Sequence, residues 1–535
     1  MKNRFQNYFI NLLVPAFVFG SVTGVATAVV ISFYKLCAGY IIGLSEHGYQ
    51  LLRNAPLWIL PVLPILAAVA MLFAYIYRKH PNLCGGGIPT SIGALRGILP
   101  ISSFANLFGI FTMSLTTFLI GVPLGNEGPS VQMGTSVGKG CVRLFAKKHW
   151  AWERYSMTGG ACAGFAVATG APISGILFSV EEAHQRISPM LLMVSATSVM
   201  FAEFTTMLLS MFLPIHVTLF PKLSLIALDL RDIWLPVVVG AAVGLFAVLF
   251  LRYYRFISRL TKRIKAKISS GMLIFLVFVA TLILGLVSSD FISTGHDLML
   301  SLFDASKALW LLVVILLIRA TVTLFANTSS ITGGLFVPIL ALGAVFSSAV
   351  GQILMLLGLN ESYGVIILVL GITACISAMM KMPLTAIVFA VEALSCYNNI
   401  LFIIVVAVIS YIITEFFGVK SITDKVIEHR AESVHRGKEA KVSEVFITVR
   451  EGSFAVGKQI RDILWPNNLF ILSVKYSSNA HIEVDEHGGS GIRAGDVLHV
   501  RYLTYDQEKT LEELYAIVGE QEPNKLKIIN HKAIN

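Results

Sequence analysis

Glu127 stands in the segment Gly125-Asn126-Glu127-Gly128-Pro129, an ionisable group at a chain break directly after the apolar run 108–124. Glycine and proline both interrupt a helix. Two further breaks, Gly85-Gly86-Gly87-Ile88-Pro89 and Gly333-Gly334-Leu335-Phe336-Val337-Pro338, have the same form, and each leads into a segment that can coil again. A helix start presents unpaired N–H groups and roughly half a positive charge. Several such ends aimed at one spot hold an anion without a cationic side chain. An ionised carboxylate there competes with the anion for the same N–H groups. Protonation neutralises it and lets it swing away. A static helix cap at Glu127 rests on the same physics without movement.

Glu181 and Glu182 close the segment 171–183, APISGILFSVEEA. Adjacent helical residues point about 100° apart, so the two need not share a role. Residues 382–394, MPLTAIVFAVEAL, repeat this segment: Pro172, Ile176, Phe178, Val180 and Glu181 align with Pro383, Ile387, Phe389, Val391 and Glu392. Gly160 and Ala163 align with Gly371 and Ala374 at the same offset, and the break at 125–129 has its counterpart at 333–338. Glu181 therefore recurs, which suits a structural part at a helix end. Glu182 faces Ala393 in the alignment, which suits something done once, such as taking up protons. Duplicated halves of broken helices are the architecture of many transporters, with the substrate site where the breaks meet.

The elements that must carry these residues are membrane helices. Of 535 residues 56% are hydrophobic and 13% charged, about half the charge of an ordinary soluble domain. Apolar runs at 8–34, 57–77, 104–124, 189–213, 233–251, 272–289, 308–326, 362–380 and 399–417 suit at least nine full or partial crossings, at roughly 20 residues each. The first run is too long for a signal peptide and reads as a retained helix. Lys2 and Arg4 before it favour a cytoplasmic N-terminus.

Charge divides the chain. Residues 420–535 hold 33 of the 72 charged side chains, 16 basic and 17 acidic, which leaves the net positive charge in the membrane part. Bases beside membrane helices reflect topology and anionic lipid. With no basic, aromatic-interleaved surface stretch, nucleic acid is not an expected partner. The organisation read from this is a transmembrane domain over 1–419, a charged linker over 420–440 that starts as a helix, a small α/β domain over 441–520 and a disordered tail over 521–535. In the small domain, strands are expected at 445–449, 469–476 and 496–503, and helices at 456–464 and 506–519. The six scattered cysteines form no CxxC pair, so neither a metal nor a disulfide framework is indicated. No nucleophile, base and orienter are arranged for catalysis, so neither an enzyme nor a cofactor is expected.

The three breaks, in this order and spacing and followed by PISGILFSVEE, resemble the signature segments GSGIP, GREGP and GxFxP of the CLC chloride channels and proton-coupled antiporters, over about residues 15–430. The resemblance implies an all-α polytopic fold of two inverted repeats of broken, tilted helices, assembled as a homodimer with one anion pathway per subunit. It implies that Glu127 is the gating glutamate and outer proton carrier, and that Glu182 is the inner proton glutamate of the antiporters. The anion set it implies comprises Gly85, Gly86, Gly87, Ile88, Pro89, Gly125, Asn126, Gly128, Pro129, Gly334, Leu335, Phe336 and Thr423, with the N–H groups of Leu335 and Phe336 on the central anion. Three residues depart from the pattern. Gly86 replaces a serine whose hydroxyl ligates chloride, Asn126 replaces an arginine, and Thr423 stands near the position of the inner-gate tyrosine. Residues 441–520 are similar to the C-terminal ligand-binding domain of potassium-transport regulators, the RCK-C or TrkA-C type, which implies regulation by a small ligand. The expectation is a chloride/proton antiporter in the cell (inner) membrane with its tail domain cytoplasmic. The alternatives are a passive or uncoupled anion pathway, which the three departures favour, and a membrane-scaffolded ligand sensor. A cation pathway lacks any TVGYG-like carbonyl filter.

Overall fold

Proline sets several helix starts in this chain. It occupies the first turn of the helices that begin at Val14, Ile88, Pro172, Pro189 and Pro383, where its missing N–H would have no partner anyway. The computed structural model describes residues 13–531 except 86, 103, 146–149, 306, 435–440, 467, 477–480, 484–488, 490, 505 and 522–526.

Seventeen helices, counted among the described residues, make up the membrane part. The first half contains α1 (Val14–Asn54), α2 (Ile59–Lys79), α3 (Ile88–Leu95), α4 (Phe104–Ile120), α5 (Glu127–Phe145), α6 (Glu153–Thr169), α7 (Pro172–Phe178) and α8 (Pro189–Ser210). The second contains α9 (Trp234–Lys265), α10 (Ser270–Val287), α11 (His296–Asp304), α12 (Leu309–Thr328), α13 (Phe336–Leu356), α14 (Gly364–Cys375), α15 (Pro383–Glu392), α16 (Ile400–Phe416) and α17 (Ile422–Val434). Nine helical stretches among the described residues are long and apolar enough to cross a membrane. Two segments differ from the sequence reading. The run at 104–124 yields only the 17-residue α4, because Gly121 turns to φ 81°. The stretch Phe336–Leu356 was not among the expected spans, yet it forms a 21-residue helix. Glycines and serines punctuate its apolar run, and they serve here as close-packing positions rather than breaks. Gly343, for example, lies against Cys375.

The duplication is visible as reciprocal bonding. Glu181 accepts hydrogen bonds from Leu384 N (2.8 Å), Thr385 N (2.7 Å) and Thr385 Oγ1 (2.6 Å) at the start of α15. Glu392 accepts from Ile173 N (2.8 Å), Ser174 N (2.9 Å) and Ser174 Oγ (2.8 Å) at the start of α7. Each glutamate thus caps the other half's helix N-terminus, where a carboxylate is favoured.

The segment read as a linker is built into the membrane part. Val419, Ile422, Val426 and Ile427 belong to its buried core. Ser421 caps the start of α17 by accepting from Asp424 N (3.0 Å), and its hydroxyl donates to the Asp424 carboxylate (2.9 Å). Residues 435–440 of that segment lie outside the described residues.

The tail domain holds β1 (Lys441–Thr448), β2 (Leu469–Lys475), β3 (His481–Glu483), β4 (Val497–Thr504), α18 (Gln507–Val518) and β5 (Lys527–His531). The antiparallel sheet runs β3-β2-β4-β1-β5. Val445, Ile447, Leu498, Val500 and Tyr502 bury one face, against Leu514, Ile517 and Val518 of α18. On β1 and β4, the Arg501 guanidinium and His499 beside Glu444 hold its carboxyl below the usual range. The three expected strands and the last helix form. The helix expected at 456–464 does not: it is reduced to a short turn at Ile460–Asp462. Gly457 has φ 82°, and Gly457 N and Lys458 O bond to the residue Ile492 instead, so the backbone groups a helix would use are already paired. Within the segment 521–535, expected to be disordered, Lys527–His531 pairs with β1; residues 522–526 and 532–535 lie outside the described residues.

The tail domain docks on the membrane part through α6 and the loop after α7. Tyr155 Oη donates to Asp462 O (2.7 Å) and accepts from Leu464 N (2.9 Å). Arg154 donates to Trp465 O (2.6 Å) and Arg186 to Ile463 O (2.6 Å). Phe454 lies edge-on to Trp152 at 5.5 Å, and Leu464 is buried beside them.

Candidate functional site

The three breaks converge because their glycines allow backbone to touch backbone. Gly125 and Gly334 exchange both N–H···O bonds at 2.8 Å, a two-residue bridge between the halves. A methyl group added to Gly128 would lie 2.5 Å from the Cα of Gly334 and 3.0 Å from that of Gly87. Gly87 has φ 101°, a conformation open to glycine. Gly85, at φ 63°, bonds through its N–H to Ser330 O (2.8 Å), in the approach to the third break. Ile88 and Pro89 open α3, Pro129 lies in the first turn of α5, and Leu335 immediately precedes α13, which Phe336 begins. The sequence-predicted cradle is therefore assembled from all three breaks. Gly86 lies outside the described residues.

Glu127 is the first residue of α5 and is fully buried. Its carboxylate faces two backbone N–H groups, its own and that of Val337 in the first turn of α13. It thus occupies the positive ends of two helices from opposite halves. The amide of Asn126 fits with its nitrogen toward this carboxylate, donating to Oε1 (2.5 Å) and Oε2 (3.2 Å). A neutral donor stands where the resemblance would put a cation.

Glu182 is elsewhere. A π-helical turn, Ser179–Ala183, ends α7 and carries both Glu181 and Glu182. Arg96, at the end of α3, fixes this turn by donating to Glu182 O (2.7 Å) and Ala183 O (3.0 Å) while pairing with Asp424 (3.2 Å). The Glu182 side chain is buried and turned to the start of α17, where Thr423 Oγ1 donates to its Oε1 at 2.5 Å. Thr423, expected with the anion set, is the residue that the structure joins to Glu182. Phe165 and Phe178, the last residue of α7, stack at 5.6 Å, and Phe336, the first residue of α13, packs edge-on against Phe165 (5.1 Å) and Phe389 (5.5 Å).

Two residues that the motifs did not single out complete the site. Gln132, buried on α5, accepts from Gly87 N (2.6 Å) and donates to Asn82 O (3.1 Å). It therefore takes up one cradle N–H. Arg430 on α17 donates to Thr90 Oγ1 and lies against Gly85. A long amide side chain between Val131 and Met133, five residues beyond Glu127, is the signal for Gln132. Seven-residue spacing from Thr423, which returns to the same helix face, is the signal for Arg430.

Comparison with known proteins bears on the whole membrane part. The family model described as Voltage gated chloride channel matches residues 66–415. The fold is similar to that of a slow cyanobacterial Cl−/H+ antiporter, with TM-score 0.70 and 22% identity over 79% of this chain and 99% of that one. It is also similar to a CLC-type fluoride/proton antiporter, with TM-score 0.63 and 17% identity over 76% of this chain and 96% of the other. A eukaryotic CLC transporter matches with TM-score 0.62 and 19% identity over 78% and 74% of the two chains.

Proposed function

Because the chain belongs to the voltage gated chloride channel family, we propose that it exchanges chloride for protons across a cell membrane, with the tail domain on the cytoplasmic side. The observation that carries this reading is the Glu127 carboxylate at the converging starts of α5 and α13. A charged carboxylate in an anion's place and a proton that displaces it are two halves of one exchange. In this mechanism the N–H groups at the starts of α3, α5 and α13 hold the anion, and Glu127 yields its position on protonation. Protons reach it from the inner side through Glu182, the second buried acid. Each subunit of a homodimer carries its own pathway. The tail domain acts on transport through a small ligand.

The test is proton movement in liposomes containing the purified protein, driven by a chloride gradient at controlled membrane potential. Uphill proton movement that disappears in Glu127→Gln is the expected result. Chloride flux with no proton movement would refute exchange. It would favour a second reading, an uncoupled anion pathway, which has its own support: a neutral Asn126 beside Glu127, and a Gly87 N–H engaged by Gln132.

A further inference from the structure

Thr423 and Glu182 line one cavity of about 420 Å³, between the turn after α7 and the start of α17. Four acids line it. Three are engaged: Glu181 caps α15, Asp424 pairs with Arg96, and Glu415 pairs with Lys381 at 2.7 Å. Glu182 differs. Its Oε1 accepts from the Thr423 hydroxyl, and its Oε2 is buried with no hydrogen-bond partner among the described residues. Arg96 spends its bonds on backbone carbonyls of the same turn and on Asp424. Arg186, also on the cavity wall, donates to Ile463 O of the tail domain. The neighbouring His184 is bonded through Nε2 to Thr158 Oγ1 at 2.8 Å. Tyr411 is the remaining titratable group on the wall.

A threonine hydroxyl has a single proton to donate. While Glu182 is ionised, that proton is committed to Oε1, the oxygen that lies 2.5 Å from the hydroxyl. A proton arriving from the cavity forms an O–H bond at the unpartnered Oε2, and the carboxylate becomes a neutral carboxyl. The neutral group is a weaker acceptor than the carboxylate, so the Thr423 hydroxyl is freed to donate to an anion in the cavity. We infer that Thr423 is a positioning residue that couples the two substrates: its one hydroxyl proton serves either ionised Glu182 or an anion, so protonation of Glu182 favours chloride at the inner mouth. This rests on the exchange reading for the role of Glu182, but the coupling itself is a binding property and can be measured without transport.

The experiment is chloride binding to the full-length purified protein by calorimetry, in a Glu127→Gln background so that the gating carboxylate does not titrate. A pH series from about 3.5 to about 9.5 brackets carboxylate and imidazole titrations. The parent should bind chloride about tenfold more tightly at the acid end, the scale of one hydrogen bond to a charged group. Adding Thr423→Val should flatten the profile at the weak level, and Thr423→Ser should restore its slope. Adding Glu182→Gln should flatten it at the tight level. A Thr423→Val profile parallel to the parent's overturns the inference, as does a Glu182→Gln profile at the weak level or no chloride binding at acid pH. An intact slope, with no proton movement by the unsubstituted protein in liposomes, would instead count against the exchange reading alone.

Discussion

At Gly128 a single hydrogen atom decides whether the site can assemble. The residue lies where three backbones meet, and any side chain would enter the Gly334 and Gly87 positions. Backbone cannot rotate away as a flexible side chain does, and overpacking of this kind costs about 1–3 kcal/mol. Gly128→Ala should lower chloride flux at least tenfold, an order of magnitude consistent with that cost, while the rest of the fold persists. Flux in liposomes, read beside a size-exclusion profile, checks this. Unchanged flux would mean that the three breaks do not need to touch. The residue scale also separates the two acids at 181 and 182. Repetition in sequence marked Glu181 as structural, and its three hydrogen bonds bear out that reading.

The element scale is governed by how short helices keep their ends satisfied. The helices α7 and α15 have seven and ten residues, too few to be stable by propensity alone. Each depends on a glutamate from the other half. Converting either acid to its amide removes a charge from a helix N-terminus and weakens two backbone hydrogen bonds. Glu181→Gln and Glu392→Gln should each lower unfolding stability by about 1–2 kcal/mol, in similar measure because the bonding is reciprocal. Thermal unfolding in detergent measures it. A large effect from one and none from the other would show that the halves are not held by equivalent caps. The same scale accounts for two of the misread segments. Apolar periodicity suggested a helix at 456–464, but it could not register that Gly457 and Lys458 pair with Ile492 across the tail domain. Runs of Gly and Ser hid α13, since composition alone does not separate a close-packed helix from a broken one.

For the whole molecule, the link between the two domains passes through a few side chains at Asp462–Trp465. Tyr155 supplies both a donor and an acceptor there. Tyr155→Phe leaves the buried Leu464 N–H unpaired and leaves Asp462 O only the longer bond from the Ser188 hydroxyl (3.4 Å); the unpaired N–H alone costs about 1–3 kcal/mol. Hydrogen exchange at residues 460–465 should quicken by about tenfold or more on that scale, with α6 still protected. Unaltered exchange at 460–465 would mean that the aromatic contact of Trp152 and Phe454 holds the domain without these bonds. Arg186 joins the same stretch of the tail domain to the loop that follows Glu182, so loosening the dock reaches the wall of the cavity beside Glu182.

Composition, the apolar runs, the three Gly-rich breaks and the repeat are local or periodic properties, and the sequence by itself determined them. From them came the membrane class, the broken-helix halves, the buried carboxylate at 127 and the structural reading of Glu181. Tertiary structure decided which groups meet. Thr423 and Glu182 are 241 positions apart, and Gly87 and Gln132 are 45 apart. Hydrogen bonds act over about 3 Å, and no spacing pattern along the chain records a contact formed only when distant helices pack. The linker reading failed for the same reason. Residues 420–434 are charged enough to suit solvent, and only their packing against α3 buries Ile422, Val426 and Ile427 in the membrane part.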